Sequence, residues 1–212
     1  MDKTERFWDG LAQKFDKRAE RFEKTAAKTI ERAKRYLRSG DFVLDYACAT
    51  GTISCELASH VQEIYGIDIS SNMVEAATRK AAGLGIANAR FARKTIFDDE
   101  LRRESYDVIL ALNILHLVPE DTRRVVERVG ELLKPGGVMI SATACLGERK
   151  GLLNLIMFLL LTLAYKVGAI PFLRFFTIAG LEESIRQGRF QVVETETLLN
   201  FPLNRFVVAK KI

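Results

Sequence analysis

From residue 42 onward the chain alternates between two periods of apolar residues. Short β-rich runs at 42–47, 61–68, 89–93, 106–112 and 138–144 read as strands buried in a sheet. Between them lie helical patterns. One starts at the cap Ser70-Ser71-Asn72 and runs to Gly83; another spans Glu120 to Leu133 and stops at Lys134-Pro135-Gly136-Gly137. Strands alternating with helices predict a parallel sheet with right-handed crossovers. The tail breaks this rhythm. Runs at 190–197 and 205–209 succeed one another across a short link and predict an antiparallel hairpin.

Two further stretches read as helices with unusual faces. Near the N-terminus Phe7, Leu11, Phe15 and Phe22 share one face, with Trp8, Phe15 and Phe22 at sevenfold spacing. This helix precedes the first strand and is expected to pack on the sheet or cap it. The second stretch lies between Lys150 and Lys166 and is apolar on all sides, with only Asn154 and Thr162 clearly polar. It falls short of the about 20 residues a spanning helix needs, and Pro171 and Arg174 interrupt the apolar piece beyond Lys166. Such a helix must be covered by something: the domain's own core, a homodimer partner, a lipophilic pocket beneath it, or a bilayer surface.

Length and composition narrow the classes. At 212 residues with 48% hydrophobic and 28% charged residues, the chain reads as one globular domain without disorder. Four parts are expected within residues 1–212: an N-terminal helical cap (1–38), a core (39–145), an apolar helical insert or lid (146–180) and the C-terminal hairpin (181–212). Three cysteines without CxxC spacing and two histidines argue against a disulfide framework and against a metal site. The net charge of +5 is carried by residues 1–38, which suits an anionic lipid surface, nucleic acid or an acidic small molecule, or simply a solvated helix. The charged N-terminus lacks a signal-peptide core, so the expected location is cytoplasmic, with peripheral contact at the inner membrane face as an extension.

In an open α/β sheet, ligands bind outside the carboxyl ends of the strands. The first strand ends in Asp45-Tyr46-Ala47-Cys48-Ala49-Thr50-Gly51-Thr52, where small residues let the backbone approach a ligand before a helix begins. The second strand ends in Asp68, whose ionised carboxylate can accept from both hydroxyls of a ribose. A dinucleotide loop needs G-x-G-x-x-G, but the matching positions are Ala47, Ala49 and Thr52, and no phosphate loop of the G-x-x-x-x-G-K type is present. Asp45 also suits a cation better than a pyrophosphate. A ligand with a ribose, an adenine and an amino group fits.

Four motifs then carry a resemblance. VLDYACATG at 43–51 resembles the first motif of class I S-adenosylmethionine-dependent methyltransferases, whose usual form is an acidic residue followed by G-x-G-x-G. IYGIDIS, SYDVILALNILHLV and LLKPGGVMISA resemble the second-strand, fourth-strand and fifth-strand motifs in order, and the closing hairpin matches the family's antiparallel strand. The chain is most similar to the small-molecule branch that includes quinone-biosynthesis and phospholipid methyltransferases. The resemblance implies a Rossmann-like, doubly wound, seven-stranded α/β sheet with S-adenosyl-L-methionine as cofactor and S-adenosyl-L-homocysteine as product.

The same resemblance implies roles. Asp45 lies near the methionine amino end, with Ala47, Cys48, Ala49 and Gly51 around it. Asp68 holds the ribose, Ile69 and Met73 flank the adenine, and Thr95 and Ile96 edge it. Leu112 and Asn113 end the fourth strand beside the sulfonium. Alanine in place of the loop's second glycine is expected to keep Ala49 out of positive φ. The acid that usually meets the adenine amino group is replaced by Thr95 or displaced to Asp98. His116 is the candidate base, or else a packed histidine; Met73 has a core reading as well. Phe15, Leu155, Phe158, Leu159 and Phe172 are the candidate acceptor-binding residues, implying a small lipophilic acceptor. No nucleic-acid module is found. The alternatives are a degenerate member that binds cofactor or a partner without transfer, and a NAD-linked oxidoreductase, against which the missing glycines and the hairpin argue.

Overall fold

The computed structural model describes residues 3–19, 23–148, 151–170 and 172–212. Two helices lead in, α1 (Lys3–Ala19) and α2 (Glu23–Lys34). Then come β1 (Phe42–Tyr46), α3 (Thr52–Leu57), β2 (Glu63–Asp68), α4 (Ser71–Gly83), β3 (Ala89–Arg93), β4 (Tyr106–Leu112), α5 (Thr122–Leu132) and β5 (Leu133–Ala144). The chain closes with α6 (Leu152–Lys166), α7 (Ile178–Gln187), β6 (Phe190–Asn200) and β7 (Leu203–Lys211). The sheet has seven strands in the order β3-β2-β1-β4-β5-β7-β6. β1 to β5 are parallel; β7 runs antiparallel to both β5 and β6.

Strand alternation builds two cores. Leu44, Ile109, Met139 and Val207 face α5 and α7, while Val43, Leu110, Ile140 and Phe206 face the side of α2 and α3. Both sheet faces are covered, which is why β4 carries the continuous apolar run 108–112 and β7 the run 206–209. Strand order reverses between β2-β3 on one side of β1 and β4 on the other, so the β1/β4 boundary is the switch point.

The helix caps reflect the local sequence. Ser70 Oγ accepts from Met73 N at 3.1 Å and starts α4, and Asp121 caps α5 by accepting from Arg123 N at 2.8 Å. The turn expected at residues 134–137 is absorbed into β5 instead. Its partner in β4 shifts register between Tyr106 and Val108, with Gly136 at φ 74°, so the glycines form an irregularity inside the strand. Helix α7 has no counterpart among the expected elements, and it straddles the expected boundary at 180. Its Leu181 and Ile185 are buried under the sheet, a two-residue apolar face too short for periodicity to reveal.

α6 belongs to an excursion closed at its base. Gly147 N donates to Phe176 O at 2.7 Å, and a Cβ on Gly147 would stand 2.6 Å from Phe175 O, so only glycine allows the two arms to meet. The returning arm is tied to the loop after β4, where Arg174 N donates to His116 O at 2.7 Å.

Candidate active site

The loop after β1 wraps the switch point in alternating left-handed turns. Ala47 has φ 61°, Ala49 φ 48° and Gly51 φ 71°. The expectation that alanine would hold Ala49 out of positive φ is therefore wrong. Surrounding contacts override the roughly 1–2 kcal/mol that such a conformation costs an L-residue. Cys48 N donates to Ile67 O at 3.0 Å, and Ala49 N donates to Asp68 Oδ2 at 3.0 Å. Beneath the loop sits Phe91 of β3, a residue for which the sequence suggested no role. A Cβ on Gly51 would lie 2.9 Å from its ring, and one on Gly66 would lie 2.4 Å from it. These two glycines let the aromatic ring support the loop from below.

Two carboxylates converge here. Asp45 is buried and accepts from Ser54 Oγ at 2.5 Å. Burial pushes its pKa up to about 6; the Ser54 bond pulls down and the charge of Asp68 adds to the rise. No Lys, Arg or His pairs with it among the described residues. Asp68 is also raised, by burial first, against the pull of backbone N–H groups of Ser70, Ala49 and Ile69. Its Oδ1 accepts from Ser70 N at 2.9 Å. Both oxygens thus hold backbone donors and keep lone-pair capacity for a hydroxyl. Two buried carboxylates without a counter-cation form a site whose electrostatics favour a cationic ligand.

The remaining expected residues take varied places. Cys48 is buried, its thiol pushed well up by burial and by Asp45 and Asp68, which makes it a packing residue and not a thiolate. Ile69 is half-buried at the rim. Met73 and Ile96 are fully buried and form floor, without a free face. Thr95 is exposed, its Oγ1 accepting from Phe97 N at 3.2 Å. Asp98 is committed elsewhere, accepting from Glu100 N at 3.0 Å and Lys94 Nζ at 3.2 Å. Leu112 is buried. Asn113 is exposed at φ 56°, and its Oδ1 accepts from Asn204 Nδ2 at 2.9 Å. Asn204, on β7 and 91 residues away in sequence, carried no signal that could have linked it to this site.

His116 is buried, its carbonyl holds the returning arm of the excursion, and its Nδ1 has no hydrogen-bond partner. Burial pushes its pKa down to about 4, so the imidazole is neutral and a weak base at neutral pH.

α1 crosses the carboxyl ends of β1, β2 and β3. Glu5, Asp9, Ala12 and Asp16, at helical spacing, form its inner stripe. Glu5 pairs with Arg93 at 2.5 Å, Asp9 accepts from Ser70 Oγ at 2.6 Å, and Asp16 accepts from Thr50 Oγ1 at 2.5 Å and Lys80 Nζ at 2.8 Å. Burial alone would raise the Asp16 pKa, but the bonds from Lys80 and Thr50 outweigh it and hold the pKa low. Phe7, Trp8, Leu11 and Phe15 are half-buried, and the hydrogen bonds that tie the helix down come from its carboxylates; Phe22 lies outside the described residues.

Of the candidate acceptor residues, Phe158 points inward and meets Phe175 edge-on at 4.9 Å, and Phe172 is half-buried against Tyr165 at 6.2 Å. Leu155 and Leu159 face away from the body of the protein. They are 38% and 57% exposed, on the outward side of α6. The inner apolar wall is instead Ala144, Leu146 and Leu173, with Leu117, Met157, Leu161, Ile170 and Phe175 packed against them. An open groove of about 540 Å³ elsewhere, along the outer edge of β6, gathers Glu182 and Arg186, which pair with each other.

A doubly wound sheet closed by an antiparallel hairpin, with an acidic cleft at its switch point, defines an α/β protein built for a cationic nucleoside. Comparison with known proteins agrees. The family model described as "Methyltransferase domain" matches residues 37–158, more than half of the chain. The chain belongs to this family, the S-adenosylmethionine-dependent methyltransferases, and S-adenosylmethionine is its cofactor. A carboxy-S-adenosyl-L-methionine synthase of Chromohalobacter salexigens is 32% identical over 116 residues, covering 51% of this chain and 42% of that one. A ubiquinone biosynthesis O-methyltransferase of Coxiella burnetii is 29% identical over 104 residues, covering 49% and 44%. The chain thus spans less than half the length of these curated relatives. A geranyl diphosphate C-methyltransferase of Streptomyces coelicolor, solved with geranyl diphosphate and S-adenosyl-L-homocysteine, shares the fold. Its TM-score is 0.73 at 13% identity, covering 88% of this chain and 79% of that one.

Proposed function

We propose that this chain transfers a methyl group from S-adenosylmethionine to a small lipophilic acceptor. The observation that carries the reading is the neighbourhood of Asn113. Asn204 holds it at the end of β4, and Ala144, the cross-strand partner of Asn204, begins the apolar wall that runs under α6. The cofactor cleft therefore borders the small apolar cluster packed beneath α6. The names of the relatives, which include a ubiquinone-pathway and a geranyl diphosphate methyltransferase, support an acceptor of this class.

The bound cofactor supplies an electrophilic sulfonium methyl. In this reading Asp45 sets the negative potential at the amino end of the cleft, and Ala47, Cys48, Ala49 and Gly51 present backbone to it. Asp68 accepts from the ribose, Ile69 packs on the adenine over a floor of Met73 and Ile96, and Thr95 stands at its edge. Leu112 and Asn113 border the reacting end. α1, Phe158 and Phe172 exclude water and align the acceptor. His116 fits a packing role better than that of a base, because its pKa is low and its ring is buried. The retained left-handed loop, despite two alanines, favours a working cofactor site over a degenerate one.

The test is methyl-labelled S-adenosylmethionine incubated with the protein and a membrane-containing cell extract, then partitioned. Label in the organic phase is expected, and Asp68→Ala should weaken cofactor binding at least about ten-fold through loss of charged hydrogen bonds. Label confined to the aqueous phase overturns the acceptor class. Cofactor binding with no label transferred overturns the reaction.

A further inference from the structure

Helix α6 has its polarity inverted. No residue of it is buried. Its protein-facing side, half-buried, holds Asn154, Met157, Phe158, Leu161 and Thr162, including both of its clearly polar uncharged residues. Its outward side is a continuous aliphatic strip of Leu152, Leu153, Ile156, Leu159, Leu160 and Leu163, between 43% and 71% exposed. A helix facing water would carry its polar residues on that side and its aliphatic ones inward. Contiguous apolar surface of this kind marks a contact with another apolar phase.

Charge identifies the phase. Residues 149–181 contain four cations, Arg149, Lys150, Lys166 and Arg174, and no acidic residue. The strip is thus bracketed in sequence by Arg149-Lys150 before it and Lys166 after it. Lys3 of α1 joins this end: its Nζ lies 3.2 Å from where a Cβ on Gly168 would stand. Tyr165, 41% exposed, and Phe172 meet edge-on beside Lys166, an aromatic and cationic pairing suited to the headgroup level of a bilayer. The core of a subunit seam is depleted of charge and needs no such cationic flanks. Among the described residues no helix is long and apolar enough to cross a membrane, so α6 can only lie along one.

We propose that the outward strip of α6 docks on an anionic bilayer surface, with the leucines at acyl-chain depth and Lys166 at the phosphates. This holds whichever acceptor is methylated. Where the acceptor is lipophilic, docking places the apolar wall beneath α6 next to the phase that dissolves it.

Vesicle flotation tests this without cofactor or activity, so its failure is separate from failure of the methyl-transfer reading. The whole protein should float with vesicles of phosphatidylcholine plus phosphatidylglycerol and less with phosphatidylcholine alone. Leu159→Gln combined with Leu163→Gln, both exposed, should abolish flotation while leaving the thermal midpoint unchanged. Lys166→Ala should weaken anionic-vesicle binding about five-fold, the effect of one cation near a charged surface. Protein remaining in the aqueous fraction with both vesicle types overturns the proposal. So does a concentration-dependent dimer that the leucine substitutions dissociate without any vesicle binding, because a second copy then covers the strip. Equal flotation with neutral vesicles overturns the anionic half of it.

Discussion

At the residue scale, Asp45 and His116 are two buried titrating groups with opposite effects on stability. Asp45 titrates near 6 in the folded protein against an ordinary value of 3.8, so its burial penalty is fully present above pH 6 and fades as pH falls toward 3.8. His116 titrates near 4 against 6.5, so its contribution is intact above pH 6.5 and is lost as pH falls toward 4. Each is worth about 3 kcal/mol at most, and across this window they cancel. Asp45→Asn keeps an acceptor for Ser54 and removes one side of the balance. The variant should be more stable than wild type at pH 7, and that advantage should shrink steadily by pH 4.5. Urea midpoints at three pH values check this; a difference independent of pH would mean that Asp45 is not a raised, buried carboxylate. The positions of Asp45 and Asp68 at strand ends were legible in the sequence, because apolar runs stopping at an acid mark the carboxyl edge of a sheet. Asn204 and Phe91 were not legible, since their partners lie on other strands and no local pattern records them.

At the element scale, α1 lies across the carboxyl ends of β1, β2 and β3, tied to the loops that form the proposed cofactor site. Its helical period was plain in sequence, but the aromatic stripe gave no sign of the carboxylates that tie the helix down. Glu5, Asp9 and Asp16 repeat with the same period as any solvated face, and only donors supplied by Ser70, Thr50, Lys80 and Arg93 turn that face inward. Asp9→Ala combined with Asp16→Ala removes its ties to Ser70 and Lys80. Amide exchange across residues 5–16 should then speed up at least about ten-fold, since each charged hydrogen bond is worth about 1.5–3 kcal/mol, and cofactor should dissociate faster. Unchanged exchange would show that apolar contacts hold α1. Helix α2 makes the same point about charge. Two cations of the basic front end are structural, because Arg32 pairs with Glu196 at 2.7 Å and Arg35 joins Tyr36 in reaching Glu194.

At the scale of the whole molecule, the closing hairpin completes both cores. β7 enters between β5 and β6, and Phe206 to Ala209 are all fully buried. β6 remains at the edge, carrying Glu194 and Glu196, as an edge strand that resists further pairing should. Phe206→Ala should cost about 3–5 kcal/mol, a large share of the stability of a domain this size, and lower the urea midpoint without changing the slope. A loss below about 1 kcal/mol would mean that the hairpin contributes little to the core. Local sequence was enough to establish the alternation of strands and helices, the hairpin, the small-residue loop and the two acids at the sheet's edge. Each of these is written in periodicity or in residues within one turn. Only the folded chain settles which side of α1 and α6 faces inward, why His116 is neutral, and how two alanines hold left-handed turns. Periodicity says which residues share a face, but a face is buried only when something distant in the chain covers it.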